Sequence, residues 1–270
     1  MARRTDPLER TAETLYGRHA VAEALQAGRR RVLRVLLAEE SAVAGRLEPL
    51  LSGASGAGVP VERVPRAELD RVHTHHQGVA ARVSPYPYID LADVLERVHQ
   101  ADEPALVLIL DSLQDPQNLG TLLRTAAAVG VHGVVLPLRR GAGVTPAVVS
   151  ASAGAVEHML VAQANLAGAI ARLKQEGVWV CGLENRPEAE VFRPESLQGP
   201  LALVVGGEAA GLRPLVRQLC DRRLRLPMRG PLDSLNAAVA GSIALYLAWS
   251  ARAAPPAGGP AGSIDGPGLP

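Results

Sequence analysis

A chain of 270 residues exceeds the usual size of one domain, and a prior of roughly 150 residues per domain points to two folded units. Hydrophobic residues make up 47% but aromatic ones only 3%, so the cores must rest on Leu, Val and Ala, which argues against ring platforms for stacking bases. The net charge of +1 demands no polyanionic partner; only local clusters among the 28 Lys and Arg residues could meet one.

Residues 1–13 are charged and aperiodic, so disorder is expected there, with folding starting near Leu15. A helix is predicted from Tyr16 to about Ala27, then a strand over Val32–Leu37, a helix over Ser41–Ser52 and a glycine-rich turn over Gly53–Gly58. A strand over Val59–Val64, a short helix from Pro65 to Asp70 and a strand over Gly78–Val83 complete a small α/β domain spanning 14–84. Arg29, Arg30, Arg31 and Arg34 form a basic cluster that fits either phosphate contacts or a solvated charged turn. His73, His75 and His76 have no Cys or acidic partner at ligand spacing, so an exposed turn is expected and no metal. Ser84–Tyr88 breaks the pattern and opens a linker over 85–104 that contains a short helix, Leu91–Gln100.

Over 105–252 strands and helices alternate. Strands are predicted at Ala105–Leu110, Gly133–Leu136, His158–Val161, Val178–Leu183, Leu201–Val205 and Arg222–Leu226. Helices are predicted at Leu119–Val129, Pro146–Ala153, Leu166–Glu176, Leu212–Leu219 and after Ser234. Near-continuous apolar strands in this order mean a parallel sheet covered on both faces, with ligands beyond the carboxyl ends of its strands. Residues 253–270, rich in Pro and Gly, read as a disordered tail. Cys181 and Cys220 lie in apolar segments, and neither a signal peptide nor a run of about 18 apolar residues appears, so a soluble cytoplasmic protein with reduced thiols and no membrane partner is expected.

Three loops of the larger domain are richer in polar residues and glycine than connection requires. Asp111–Gly120 carries Asn118 and leads to Arg124. Gly206–Gly211 places Glu208 in a turn where glycines admit close approach of backbone. Leu224–Asn236 ends on Ser234 and Asn236 at the start of the last helix, whose free first-turn amides suit a carboxylate or phosphate, although Ser234 could equally be a plain N-cap. No Gly-x-Gly-x-x-Gly follows the first strand, so a dinucleotide fold is not indicated.

Asn118-x-Gly120-x-x-x-Arg124, Gly206-x-Glu208-x-x-Gly211 and Ser234-x-Asn236, in this order, resemble the three motifs of the SpoU (TrmH) family of RNA 2′-O-ribose methyltransferases. Tyr16-Gly17-Arg18-His19-Ala20-Val21 and His76–Ala80 also look like the substrate-binding domain of the family's bacterial large-subunit rRNA enzymes, which act on a guanosine. The resemblance implies a deep trefoil knot in the domain after about Leu201. It implies S-adenosylmethionine held by backbone at Gly206, Leu226 and Leu235, with Val204, Gly207 and Met228 nearby, and a homodimer that pairs the knots. Arg124 would be the family's candidate for taking the ribose proton, with Asn118 and Glu208 shaping the site and Ser234 and Asn236 positioning phosphate or substrate. Arginine is a poor base, so stabilisation of the developing oxyanion is the role expected of Arg124. Ala237, Ala240, Gly241, Ala244 and Ala248 make a small-residue face that fits helix contact in a dimer or packing within the monomer. Ala238 and the pair Ala209–Ala210 depart from commoner family residues. The same chemistry on tRNA, and a non-catalytic RNA-binding or ribosome-assembly protein that keeps the fold, are the alternatives.

Overall fold

The computed structural model of the chain describes residues 7–40, 47–193, 197–208, 211–231 and 234–253, so residues 1–6 and 254–270 of the two expected tails, part of the predicted helix over Ser41–Ser52, and Ala209–Ala210 lie outside the described residues. The fold begins ahead of Leu15, with a helix α1 (Pro7–Thr11) and a strand β1 (Glu13–Tyr16). Of β1 only Leu15 and Tyr16 are buried among the hydrophobics, too short a stretch to display a period of two. Gly17, at φ +92°, turns the chain from β1 into α2 (Arg18–Ala27), which is why the helix starts after Tyr16 rather than at it.

Strand β2 (Val32–Ala38), helix α3 (Glu48–Gly56), β3 (Val61–Val64), α4 (Arg66–Asp70) and β4 (Val79–Val83) follow. The four strands form a sheet in the order β1-β4-β2-β3, with β4 antiparallel to both neighbours and β2 parallel to β3. Helix α3 runs through Gly53 and Gly56 of the predicted turn, burying Leu50 and Ala54 on one side, and the chain turns only at Gly58, where φ is +65°. Of the three histidines, His76 is fully buried: its Nδ1 accepts from Gly78 N at 2.9 Å, which leaves Nε2–H to donate to Asp70 at 3.0 Å. His73 stacks on Tyr16 with ring centroids 4.2 Å apart. No group of three His, Cys, Asp or Glu suited to a metal occurs among the described residues.

After the linker helix α5 (Leu91–His99) come β5 (Leu106–Asp111), α6 (Pro116–Ala128), β6 (Gly133–Pro137), α7 (Pro146–Ala151), a 3-10 turn at Ala155–His158, and β7 (Val161–Ala164). Then follow α8 (Leu166–Gln175), β8 (Trp179–Leu183), β9 (Glu190–Val191), β10 (Leu201–Gly206), α9 (Pro214–Leu219), β11 (Arg222–Arg225) and α10 (Ala237–Ala253). All seven strands pair in parallel, in the order β7-β6-β5-β10-β8-β11-β9. Strand β9 has only two residues, both exposed, and gives no periodic signal. Strand β7 begins at Val161, beyond the predicted His158–Val161, because the apolar run Met159–Val161 marks no boundary and the ladder is taken up only where Val161 pairs with Val134. Leu106, Leu108, Leu203 and Val205 face the side packed by α6 and α10, while Val107, Ile109, Ala202 and Val204 face α5, α8 and α9. From β5 the chain winds outward through β6 to β7, whereas from β10 it winds the opposite way to β11, so the strand order reverses between β5 and β10. Parallel sheets bind ligands at such a reversal, beyond the carboxyl ends of the strands.

The small domain is fixed to the larger one by a buried polar clasp. The Arg30 side chain has no exposed surface and joins Glu157 of the 3-10 turn at 3.0 Å and Glu13 of β1 at 2.9 Å. It lies over the Tyr86 ring, whose hydroxyl donates toward the carbonyls of Val156 and Met159, both at 2.9 Å. Burial pushes the Tyr86 phenol up to about 12 against the opposing pull of Arg29. Arg29 bonds the Met159 carbonyl, and Arg34 meets Glu9 at 3.4 Å. These three arginines of the cluster therefore serve internal ion pairs and hydrogen bonds, and Arg30 is neither solvated nor open to phosphate.

Candidate active site

The loop after β5 becomes helix sooner than predicted. Asp115 caps α6 by accepting from Gln117 N at 3.1 Å and Asn118 N at 3.3 Å, with Pro116 at the first helical position, so Asn118 stands in the first turn rather than in a loop. Gly120 lies inside the helix. A Cβ there would overlap that of Ala151 and stand 2.9 Å from Ser152 N, so this glycine serves the close crossing of α6 and α7. Gly207 is likewise pressed on backbone: its Cβ would sit 2.5 Å from the Ser112 carbonyl, and Ser112 itself has φ +66°. The loop is anchored further on by Asp111, fully buried, which accepts from Arg213 N at 2.7 Å and pairs with its guanidinium.

At the third loop Asn236, not Ser234, caps the last helix. Its Oδ1 accepts from Ala238 N at 2.9 Å and Val239 N at 3.2 Å. Its Nδ2 donates to Asn118 Oδ1 at 3.0 Å, and Asn118 Nδ2 donates to Glu208 Oε1 at 2.7 Å. One residue from each loop thus joins a single hydrogen-bonded line across the strand reversal.

Beside this line a cavity of about 400 Å³ opens at the carboxyl ends of β8, β10 and β11. Gly206, Gly207, Leu226, Met228 and Leu235 line it, together with Glu208, Ser234 and Asn236. Val204 does not: it is fully buried on the opposite face of β10, and Val205 faces the cavity in its place, as the alternation of a strand requires. Arg124 is also elsewhere. Six residues past Asn118, it is about 9 Å further along α6 and turned to another side, where it lines a separate cleft with His19, Glu23 and His158. Leu183, Glu184 and Asn185 line the cavity without having been singled out from the sequence; their position just after a central strand was the available signal. Apolar walls from Leu183, Val205, Leu226 and Leu235 suit a flat heteroaromatic ring. The Glu208 carboxylate, which no cation among the described residues pairs, suits a positively charged centre, so the residues fit S-adenosylmethionine.

Comparison with known proteins gives the same assignment from outside the chain. A family model described as the SpoU rRNA methylase family matches residues 105–246, and one for RNA 2′-O ribose methyltransferase substrate binding matches residues 14–89. A Bacillus subtilis protein assigned to the TrmH family of tRNA/rRNA methyltransferases is 41% identical over 240 residues, covering 88% of this chain and 95% of that one. Among solved structures, the SpoU methyltransferase AviRb of Streptomyces viridochromogenes in complex with AdoMet has TM-score 0.73 at 23% identity, covering 93% of this chain and 94% of that one. The AdoMet-bound rRNA methyltransferase of Sinorhizobium meliloti has TM-score 0.70 at 25% identity, covering 89% and 87%.

Proposed function

The chain belongs to the SpoU rRNA methylase family, and on that premise we propose that it methylates large-subunit rRNA, at the ribose of a guanosine. It is an S-adenosylmethionine-dependent RNA 2′-O-methyltransferase. The observation that carries the site assignment is the line from Asn236 through Asn118 to Glu208 at the rim of the cavity. S-adenosylmethionine supplies a methyl group on a positively charged sulfur. A ribose hydroxyl is a weak nucleophile, so what the chain contributes is alignment, worth several kcal/mol when a reactant is held near its attack geometry. Asn118 and Asn236 fix each other's amide orientation and hold Glu208, while Leu226 and Leu235 exclude water. Ser234, at the cavity wall, meets substrate or the polar end of the cofactor. Arg124 meets the RNA from the cleft on the far side of α6, as an electrostatic partner of the reacting strand rather than a base.

The substrate-binding match over the small domain supports an RNA substrate, and the insertion of β10 between β5 and β8 supports a threaded, knotted chain. A homodimer is part of the same proposal. Of the two readings of the small-residue face, packing within the monomer is the one taken up, since Ala244 and Ala248 are fully buried and a Cβ on Gly241 would crowd Leu122 and Val205. The face of α10 that remains for a second copy carries Val239, Ile243, Tyr246 and Trp249, all exposed. No helix among the described residues is long and apolar enough to cross a membrane.

Calorimetric titration of S-adenosylmethionine, with labelled-methyl transfer to unmodified transcripts of 23S rRNA and of tRNA, tests the reading. Wild type is expected to bind the cofactor and to label 23S rRNA. Asn118→Ala is expected to lose transfer on the order of 100-fold with a smaller change in cofactor affinity. Transfer to tRNA alone would overturn the substrate assignment.

A further inference from the structure

Helix α6 borders two hollows. Its first turn reaches the cofactor cavity; its later turns form one wall of the cleft of about 560 Å³ that separates it from α2 of the small domain. Resting on the RNA methyltransferase reading above, we propose that this cleft is a subsite for the sugar-phosphate backbone of the RNA strand as it passes from the small domain to the methyl-transfer site, with Arg124 and His19 as its phosphate donors.

Four observations carry this. The cleft is walled by both domains, with His19 and Glu23 from α2 facing Arg124 and Ala128 from α6, so a strand held by both must cross it. Arg124 and His19 are exposed, and neither side chain bonds any described residue, whereas the one carboxylate of the cleft, Glu23, is held by His158 Nε2 at 2.7 Å. The donors therefore face the hollow, and its one carboxylate is bonded to His158 rather than to either of them. The floor is made of methyl groups, Ala127, Ala128, Ala153 and Ala155, and no ring other than the two imidazoles lines it. Among the described residues such a surface holds no Phe, Tyr or Trp platform for bases, and its free cation suits contacts to phosphate, which position a strand without reading its sequence. Finally, the width is set by the fold. The turn at Ala153 and Gly154 holds φ of +52° and +83°, and a Cβ on Gly154 would stand 2.6 Å from the Glu23 side chain and 3.0 Å from the His19 carbonyl. The seam is closed tightly beside the hollow, so the hollow is a built space rather than loose packing.

The cleft also gives Arg124 a place in the sequence motif that a position remote from the cofactor cavity leaves unexplained. About 9 Å along one rigid helix from Asn118, a phosphate on Arg124 sets the reach of the attached ribose.

Filter binding of an unmodified 23S rRNA transcript across about 50 to 200 mM salt tests the subsite, because each lost phosphate contact lowers the slope of log affinity against log salt by about 0.7 to 0.9. Arg124→Gln is expected to lower it by that amount, and Arg124→Gln and His19→Gln are each expected to weaken binding several-fold. Ala128→Glu, an exposed change on the cleft rim, is expected to weaken RNA binding through repulsion. All three are expected to bind S-adenosylmethionine as wild type does, measured by calorimetry. Unchanged RNA affinity and salt slope in all three variants would overturn the proposal even if Arg124→Gln lost transfer, since that pattern assigns Arg124 to chemistry alone. Failure of wild type to bind S-adenosylmethionine or to methylate RNA would instead overturn the reading on which the subsite rests.

Discussion

Asn118 has its amide orientation decided twice, once by Asn236, which donates a hydrogen bond to its oxygen, and once by Glu208, which accepts one from its nitrogen. Gly120, two residues on, decides where that amide stands, because it lets α6 lie against α7. Adding a single methyl at this position forces Ala151 and the Ser152 amide away. Gly120→Ala is therefore expected to cost about 1 to 3 kcal/mol of stability. It should also lower methyl transfer, since Asn118 moves with the helix. Thermal unfolding and initial rates measured on the same sample check both parts, and an unchanged melting temperature would refute the packing role. The motif residues differ in what they reveal. Asn118, Glu208 and Asn236 could be chosen from residue type and order, and they meet in space. Arg124, from the first motif, and Val204, chosen for standing just before the second, do not face the cavity, because chain proximity carries no information about which face of a strand or helix a side chain occupies.

At the scale of elements, α10 shows both sides of that limit. Its length and its start just after Asn236 follow from good helix formers and a capping amide. Its two faces are both apolar: Ala238, Ala244 and Leu245 are buried inside the chain, while Tyr246 keeps 56% of its surface exposed and Val239, Ile243 and Trp249 lie along the same side. With no polar face to point outward, the pattern could not say which side meets the core. Ile243→Asp is expected to leave the fold intact and to convert a dimer to a monomer in sedimentation velocity, and wild type sedimenting as a monomer would remove the case for this interface. The parallel alternation in the larger domain was legible because β5, β6, β8 and β10 are apolar runs bounded by helical periodicity. Strands β1 and β9 were not, having too few residues to display a period, and the apolar run Met159–Val161 between the 3-10 turn and β7 marked no strand start.

At the scale of the whole molecule, one apolar core runs from Leu15 and Val35 of the small domain into Leu122 and Val148 of the larger, with the Arg30–Glu157 pair set in the seam. Removing the cation leaves the buried Glu157 carboxylate without a partner, and Arg30→Ala is expected to cost about 3 to 5 kcal/mol. Burial raises the pKa of Glu157 above its ordinary value of 4.5, with Arg30 opposing the shift. The folded chain then holds this proton more tightly than the unfolded one. Stability from this group is greatest in acid, falls as pH rises from the unfolded value through the raised folded value, and is constant above it. Unfolding of wild type and Glu157→Gln compared over that interval should show wild type losing ground to the variant as pH increases; parallel curves would contradict the raised value.

Because the cation of this clasp belongs to one domain and its carboxylate to the other, the two halves are not interchangeable parts. A chimera that takes its small domain from a relative without an arginine at this point inherits an orphaned Glu157, and one that takes from a relative only a larger domain without this carboxylate leaves Arg30 with Glu13 alone. Grafts that exchange both together should fold where either half-exchange fails, so the unit that can be transplanted between relatives is the pair of domains with their seam.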